Sequence, residues 1–252
     1  MAIWAKLAGR MVIATVHGEL DHFSRSSRLG FIIAGRIGTR IVALNRSTAA
    51  MLARYGVGCE VQSAYLPLSP GEIAEKEVVT RTGMKRMEPF CAGYSRCFLT
   101  YSFGGGAEHR LLYGIDALID LFSQMPGHGL IILVNSDPEP VLRATDRFAN
   151  ILVLTGDMIV PWLLAYADGL IRNTASDGDS LIVREALASS AEVFATDVVD
   201  RPTGTTVYRQ HDMDSLRQCI LAPRRTPAVA VVNGAEKRPD IVRLYDRLLG
   251  KA

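Results

Sequence analysis

The chain alternates short apolar runs with segments of helical periodicity along most of its 252 residues. In the second half, strands are predicted over 97–102, 130–135, 151–155, 169–173, 192–196 and 205–209. Helices are predicted there over 113–125, 140–148, 159–167, 180–189, 213–221 and 237–249. Continuous apolar strands that alternate with helices are typical of a parallel sheet covered on both faces. The sequence therefore predicts an α/β fold.

The first part of the chain repeats this pattern less completely. Strands are predicted over 11–17, 40–45 and 60–66, and a helix over 24–37. A second helix begins at Asn45 or Ser47, both suitable caps, and ends at Gly56.

Residues 69–89 are charged and contain proline and glycine, so they are the predicted linker. A chain of this length can hold two small domains. The predicted domains are therefore 1–88 and 89–252.

Two carboxylates flank the start of the predicted helix 180–189. Asp177 lies in a polar loop with Gly178, and Glu185 lies about two turns into the helix, where Asp179 and Ser180 are candidate caps. Both carboxylates can face the crevice outside the carboxyl end of the sheet, where open α/β folds bind ligands. An ionised carboxylate accepts two hydrogen bonds from a vicinal diol, so this placement suits a ligand rich in hydroxyls. The alternatives are a turn role for Asp177 and a surface ion pair for Glu185.

Composition excludes several classes of protein. A hydrophobic content of 48% with 21% charged residues is ordinary for a soluble protein with a sizeable core. The four cysteines form no C-x-x-C pair, which indicates neither a zinc site nor a disulfide framework. The apolar start is broken by Lys6 and Arg10 and is too short to span a bilayer. A cytoplasmic location is the prediction.

The basic residues concentrate near the start of the chain. Residues 1–54 carry eight basic and two acidic side chains. This segment is suited to contact with an anion, such as a phospholipid surface, a lipid-linked phosphate or a nucleotide, and a solvated basic face is the alternative. We expect peripheral contact with the cytoplasmic face of a membrane and no nucleic acid partner.

The D-x7-E motif at 177–185, with E-A-L-A-S-S-A-E-V-F-A-T-D after it, resembles retaining GT-B glycosyltransferases of family 4. Members carry E-x7-E followed by E-A-M-A-x-G-x-P-V-V-A-T. Asp177 replaces the first glutamate, and Ser190 and Glu192 replace the glycine and the proline. The resemblance covers about 97–222. In the first half, V-H-G at 16–18 and the elements after it resemble the last third of a GT-B N-terminal domain.

The resemblance implies a GT-B-like fold, in which an incomplete Rossmann-like domain precedes a Rossmann-like donor domain. It implies transfer of a sugar from a nucleotide-sugar to a glycan or lipid-linked acceptor, with retention and with no metal or other cofactor. A sugar-nucleotide epimerase of the same fold is a less favoured alternative. The family has further βα units before V-H-G, so we expect a partner chain, a second copy or a membrane surface to cover the N-terminal sheet; the chain is otherwise a fragment.

The resemblance also assigns roles to the candidate residues. Glu185 would hold the ribose hydroxyls and Asp177 the hydroxyls of the donor sugar. Backbone amides near the helix start would stabilise the leaving diphosphate, and these belong to Gly178, Asp179 and Ser180. His17 would bind the donor sugar or the acceptor, and a loop-capping role is its alternative.

Phosphate binding is where the sequence departs most from the family. Members commonly place an arginine after the first donor-domain strand and a lysine before a glycine that corresponds to Gly114. This chain has S-F-G-G-G-A-E-H-R-L-L-Y-G, without the lysine. The amides of Gly104 and Gly105 could approach phosphate oxygens, and a flexible loop is the alternative.

Three arginines could supply the missing charge to the diphosphate. Arg110 follows the glycines, Arg172 ends a strand, and Arg184 precedes Glu185. If none reaches the diphosphate, the chain is a catalytically weak or inactive GT-B-like subunit that binds a nucleotide or a partner chain.

Overall fold

The computed structural model describes residues 12–16, 29–30, 32–33, 40–63 and 68–223. These residues belong to two compact units. The first unit contains the described residues up to 63 and the loop Ser176–Leu181. The second contains residues 68–175 and 182–223. The predicted positions 17, 64–66 and 237–249 lie outside the described residues, as does most of 24–37.

The first unit contains a parallel three-stranded sheet in the order β1 (Ile13–Val16), β2 (Arg40–Ala43) and β3 (Glu60–Val61). Helix α1 (Arg46–Arg54) joins β2 to β3. The side chain of Asn45 accepts a hydrogen bond of 2.7 Å from the Thr48 N–H, which confirms Asn45 as the cap. Gly56 follows α1 with a φ of 69°, a conformation that favours glycine.

The predicted linker 69–89 is instead a helix, α2 (Pro70–Cys91). Ser69 and Glu72 form a reciprocal capping box at its start. Pro70 occupies the first helical position, where a backbone N–H would have no partner within the helix, so its absence in proline costs nothing. Only Thr80, Gly83 and Met87 are buried along it. The charged residues that suggested a linker are the solvent-facing surface of a helix with a narrow buried stripe. The structure therefore divides the chain before α2 and not at 88/89.

The second unit is built on a parallel six-stranded sheet in the order β6-β5-β4-β7-β8-β9. Its strands are β4 (Arg96–Gly104), β5 (His128–Ser136), β6 (Ile151–Thr155), β7 (Gly169–Arg172), β8 (Glu192–Thr196) and β9 (Thr205–Tyr208). All six predicted strands are confirmed. From β4 the chain adds β5 and β6 toward one edge of the sheet, and from β7 it adds β8 and β9 toward the other edge. The pair β4 and β7 therefore forms the topological switch point of the sheet.

Helices cover both faces of this sheet. They are α3 (Ala107–Leu112), α4 (Ile115–Ser123), α5 (Glu139–Thr145), α6 (Val160–Leu163), α7 (Leu181–Ala188) and α8 (Met213–Leu221). The apolar residues of α4, α5 and α8 pack on one face. Those of α2, α6 and α7 pack on the other. Helix α3 was not predicted, and α6 is shorter than predicted. In the described residues, no helix is long and apolar enough to cross a membrane.

Glu192, which stands where the family has a proline, forms an ion pair with Arg96. Both side chains are largely buried, and the Arg96 guanidinium also donates to the Ile220 carbonyl at 2.7 Å. The pair therefore links the first residue of β4 to the first residue of β8. It lies at the amino ends of the strands and serves the fold.

Candidate functional site

An aromatic and cationic cluster lies near the carboxyl ends of β4 and β7. The Arg172 guanidinium lies 4.9 Å from the centre of the Tyr113 ring. The Tyr113 ring also meets the Tyr101 ring edge to face, with 6.0 Å between centroids, and stacks with the His109 ring at 6.4 Å. Because β4 and β7 form the switch point, this cluster stands where open α/β sheets bind their ligands.

The Tyr101 hydroxyl is held in its neutral form. Burial raises its pKa to about 12, with smaller contributions from Tyr113 and Asp157, and the Arg172 charge opposes the rise. A neutral phenol both donates and accepts hydrogen bonds. Tyr101 therefore offers a polar group to the site without adding charge at physiological pH.

Glu185 lies on α7 beside the face that packs on the sheet. It is half-buried, three residues after the buried Ile182 and one residue before the buried Ala186. Burial raises the pKa of Glu185, and the Lys76 charge opposes this rise. The carboxylate is thus partly removed from water, unlike a residue in an ordinary surface ion pair.

Lys76, whose charge lowers the pKa of Glu185, was not singled out in the sequence because it lies in the predicted linker. Its ammonium lies 2.9 Å from the Asp157 carboxylate, in the loop after β6. The signal that could have found it is the S-P-G-E sequence at 69–72, which combines a capping serine, a first-turn proline and the glutamate of a capping box.

The Asp177 loop belongs to the first unit, and Glu185 belongs to the second. The Asp177 carboxylate accepts a hydrogen bond of 3.1 Å from the Gly178 N–H. The Asp179 carboxylate accepts a hydrogen bond from the Ser63 hydroxyl. The Ser180 hydroxyl oxygen is buried and finds no hydrogen-bond partner among the described residues, so its side chain does not cap α7.

Gly104 and Gly105 are buried, which is not typical of the flexible loop that was the alternative prediction. A Cβ atom on Gly105 would lie 2.0 Å from the Asp137 carbonyl oxygen, and one on Gly104 would lie 2.8 Å from Nδ1 of His109. Close packing therefore explains why both positions are glycine. Their predicted contact with phosphate stays a prediction.

Arg110 and Arg184 occupy different surroundings from Arg172. The Arg110 guanidinium donates to the Asp116 carboxylate at 2.8 Å, and both residues line a pocket of about 290 Å³ beside α4 and the start of α8. Helix α7, which carries Glu185, covers the other face of the sheet. Arg184 is half-buried on α7. The structure thus gathers Arg172, and not Arg110, with the aromatic cluster.

The remaining site predictions concern His17 and metal binding. His17 lies outside the described residues. Within the described ranges, no group of three or more His, Cys, Asp or Glu side chains is arranged to hold a metal ion.

The two parallel sheets and the strand order of the second unit define the fold class as GT-B-like, which confirms the prediction. Solved structures of GT-B glycosyltransferases resemble the chain over most of its length. Anabaena HepE in complex with UDP superimposes with a TM-score of 0.70 at 17% identity, over 99% of this chain and 74% of HepE.

Two further solved structures show the same likeness. Sucrose-phosphate synthase from Thermosynechococcus elongatus gives a TM-score of 0.67 at 14% identity, over 99% of this chain and 71% of that one. A UDP-forming trehalose-phosphate synthase from Burkholderia xenovorans gives a TM-score of 0.64 at 13% identity, over 90% of this chain and 64% of that one. No protein-family model and no curated protein sequence matches the chain. At these identities, the likeness establishes the fold.

Proposed function

We propose that this chain is a glycosyltransferase that uses a nucleotide-sugar as donor. The observation that carries the proposal is the likeness to HepE, whose structures contain UDP and UDP-glucose and cover 99% of this chain. The acceptor class is a glycan or a lipid-linked sugar. Transfer proceeds with retention and without a metal ion, and both features rest on the resemblance to family 4.

Glu185 is the proposed acceptor for the ribose hydroxyls. Its half-buried position on α7 and the nearby Lys76 charge support this role. A carboxylate that is partly removed from water forms stronger hydrogen bonds to a diol than an exposed one, because fewer water molecules compete for it.

Arg172 is the proposed cation for the diphosphate. The Tyr113 ring supports its guanidinium at the switch point, and a planar guanidinium can donate two parallel hydrogen bonds to phosphate oxygens. Asp177 would contact the donor sugar, and His17 the donor sugar or the acceptor.

The second candidate is a GT-B-like subunit that binds a nucleotide or a partner chain and has weak or no catalytic activity. Three predicted phosphate contacts are engaged within the protein itself. The Gly178 N–H donates to Asp177, Arg110 pairs with Asp116, and the Gly105 backbone packs against Asp137. These contacts favour weak donor binding.

Two proposals concern the surroundings of the protein in the cell. A partner chain or a second copy would cover the N-terminal sheet, and the basic segment 1–54 would touch the cytoplasmic face of an anionic membrane. Light scattering reports the first association. Co-sedimentation with anionic against neutral vesicles reports the second.

Calorimetric titration with UDP and with the diphosphates of the other nucleosides tests the donor site. Release of UDP from UDP-glucose, with and without acceptor glycans, tests transfer. Glu185→Gln should weaken both signals, whereas Glu88→Gln, a change at an exposed glutamate on α2, should weaken neither. Absence of any binding at millimolar nucleotide overturns the glycosyltransferase proposal. Binding without transfer to any acceptor favours the second candidate.

A further inference from the structure

A cavity of about 290 Å³ lies beside α4 and the start of α8, the helices that cover one face of the large sheet. This volume is close to the lower limit of small-molecule pockets, which is roughly 300 Å³. The lining residues belong to α3, the start of α4, the loop after β7 and the loop before α8, all within the second unit. Helix α7, which carries Glu185, packs on the other face of the sheet. The cavity is therefore distinct from the proposed site for the ribose.

Much of the cavity wall is apolar. Leu111, Ala117 and Met213 line it, and Leu111 is 77% exposed although its side chain is large and apolar. The Asn173 side chain also lines the cavity, but its amide already donates a hydrogen bond of 3.0 Å to the Gly114 carbonyl. An apolar group bound here would cover Leu111 and would leave the Asn173 hydrogen bond in place. The wall is therefore suited to the apolar part of a ligand.

Arg110 brings a positive charge to the wall of this cavity. Its guanidinium donates to the Asp116 carboxylate at 2.8 Å and reaches the Pro140 carbonyl only at 3.5 Å. Its Nε is buried and has no hydrogen-bond partner among the described residues. A guanidinium has several N–H donors, so Arg110 can still donate to an acceptor on a ligand. The Gln210 amide and the His211 ring line the same cavity and can donate hydrogen bonds as well.

We propose that this cavity is a second ligand site, which binds a small carboxylate with an apolar body. The apolar body lies against Leu111 and Ala117, and the carboxylate accepts hydrogen bonds from Arg110. The Asp116 carboxylate beside the same guanidinium disfavours a phosphate group, which carries close to two negative charges at neutral pH. A single carboxylate therefore fits the charge of the cavity better. The site does not depend on the proposed function, because no nucleotide takes part in it.

The test is titration of the full chain with 4-methylpentanoate and 3-phenylpropanoate, followed by NMR, with the corresponding alcohols as matched probes. We expect a dissociation constant on the order of 1 mM for the carboxylates, because ligands of this size form few contacts. The alcohols should bind about tenfold more weakly, since they lack the charge that a guanidinium recognises. Arg110→Met should remove this difference between carboxylate and alcohol.

A second variant tests the cavity itself. Ala117→Leu fills it and should weaken the binding of both carboxylates by about tenfold or more, whereas Ala74→Leu, the same change at an exposed position of α2, should not. Thermal unfolding checks that both variants fold. Carboxylate affinity in Ala117→Leu within about twofold of the wild type overturns the proposal, as does equal wild-type affinity for carboxylate and alcohol.

Two further results would also overturn this second site. One is the absence of binding by either carboxylate at about 20 mM. The other is competition between UDP and the carboxylates, which would show that they share one site. Failure of the chain to bind UDP overturns the proposed function alone, because the carboxylate titrations and their variants do not require the nucleotide.

Discussion

The guanidinium of Arg172, at the end of β7, lies over the ring of Tyr113, 4.9 Å from its centre. The two residues are far apart in sequence and meet at the switch point of the sheet. Tyr113 stands where the family 4 glycosyltransferases, which the sequence resembles, have a lysine. This chain has no cation at that position in the sequence, but the fold places the Arg172 guanidinium over the Tyr113 ring.

Replacement of Tyr113 by leucine tests this arrangement. The cation–π contact contributes about 0.5–1 kcal/mol at a partly exposed site, so UDP affinity should fall about twofold to fivefold by calorimetry. Tyr113→Phe keeps the ring and should bind UDP like the wild type. Arg172→Ala removes the charge and should cost about tenfold. Equal affinity in Tyr113→Leu and the wild type would show that the ring does not orient Arg172.

Glu185→Gln should move nucleotide binding and stability in opposite directions. Loss of the charged acceptor should weaken UDP binding about tenfold to a hundredfold, as measured by calorimetry. The same change should raise the midpoint of thermal unfolding at neutral pH, because an ionised carboxylate no longer has to be held away from water.

The stability gain should depend on pH in a defined direction. Burial raises the pKa of Glu185 in the folded protein above its ordinary value of 4.5. Below the pKa that Glu185 has in the unfolded chain, its protonated form makes its full contribution to the stability of the folded protein. This contribution is lost as the pH rises through the higher pKa of the folded protein. The glutamine variant should therefore match the wild type below about pH 4 and exceed it at pH 7. A gain of equal size at both pH values would contradict a role for burial.

Gly105→Ala should destabilise the second unit. The new methyl group would meet the Asp137 carbonyl oxygen, which belongs to the backbone and cannot rotate away. Overpacking of this kind costs about 1–3 kcal/mol, which denaturant unfolding can measure. Gly71→Ala on α2, where nothing lies within 4 Å of the added atom, should instead raise stability by about 0.5–1 kcal/mol. No loss in Gly105→Ala would favour a mobile loop at this position.

Ser190→Gly should stabilise the protein. Ser190 has a φ of 57°, in the left-handed region, where a side chain costs about 1 kcal/mol relative to glycine. The family has glycine at this position after the helix. Ser189→Gly, one residue earlier and without a positive φ, should lower the free energy of unfolding by about 0.5–1 kcal/mol. Chemical denaturation distinguishes the two, and a similar loss in both variants would contradict strain at Ser190.

The sequence correctly predicted the alternating strands and helices of the second unit. It misplaced the boundary between the units, because the buried stripe of α2 consists of Thr80, Gly83 and Met87, and neither a glycine nor a threonine gives an apolar signal. Gly104 and Gly105, which suggested a phosphate loop, pack against His109 and Asp137, and their contact with phosphate stays a prediction.

Local sequence determined the period of each strand and helix, because alternating polar and apolar positions select which face each element buries. Only the tertiary structure decided that Lys76 stands beside Asp157 and that Arg172 rests on Tyr113. Both relationships join side chains more than fifty residues apart, and their geometry follows from how α2 and the loops pack on the sheet, which no local pattern encodes.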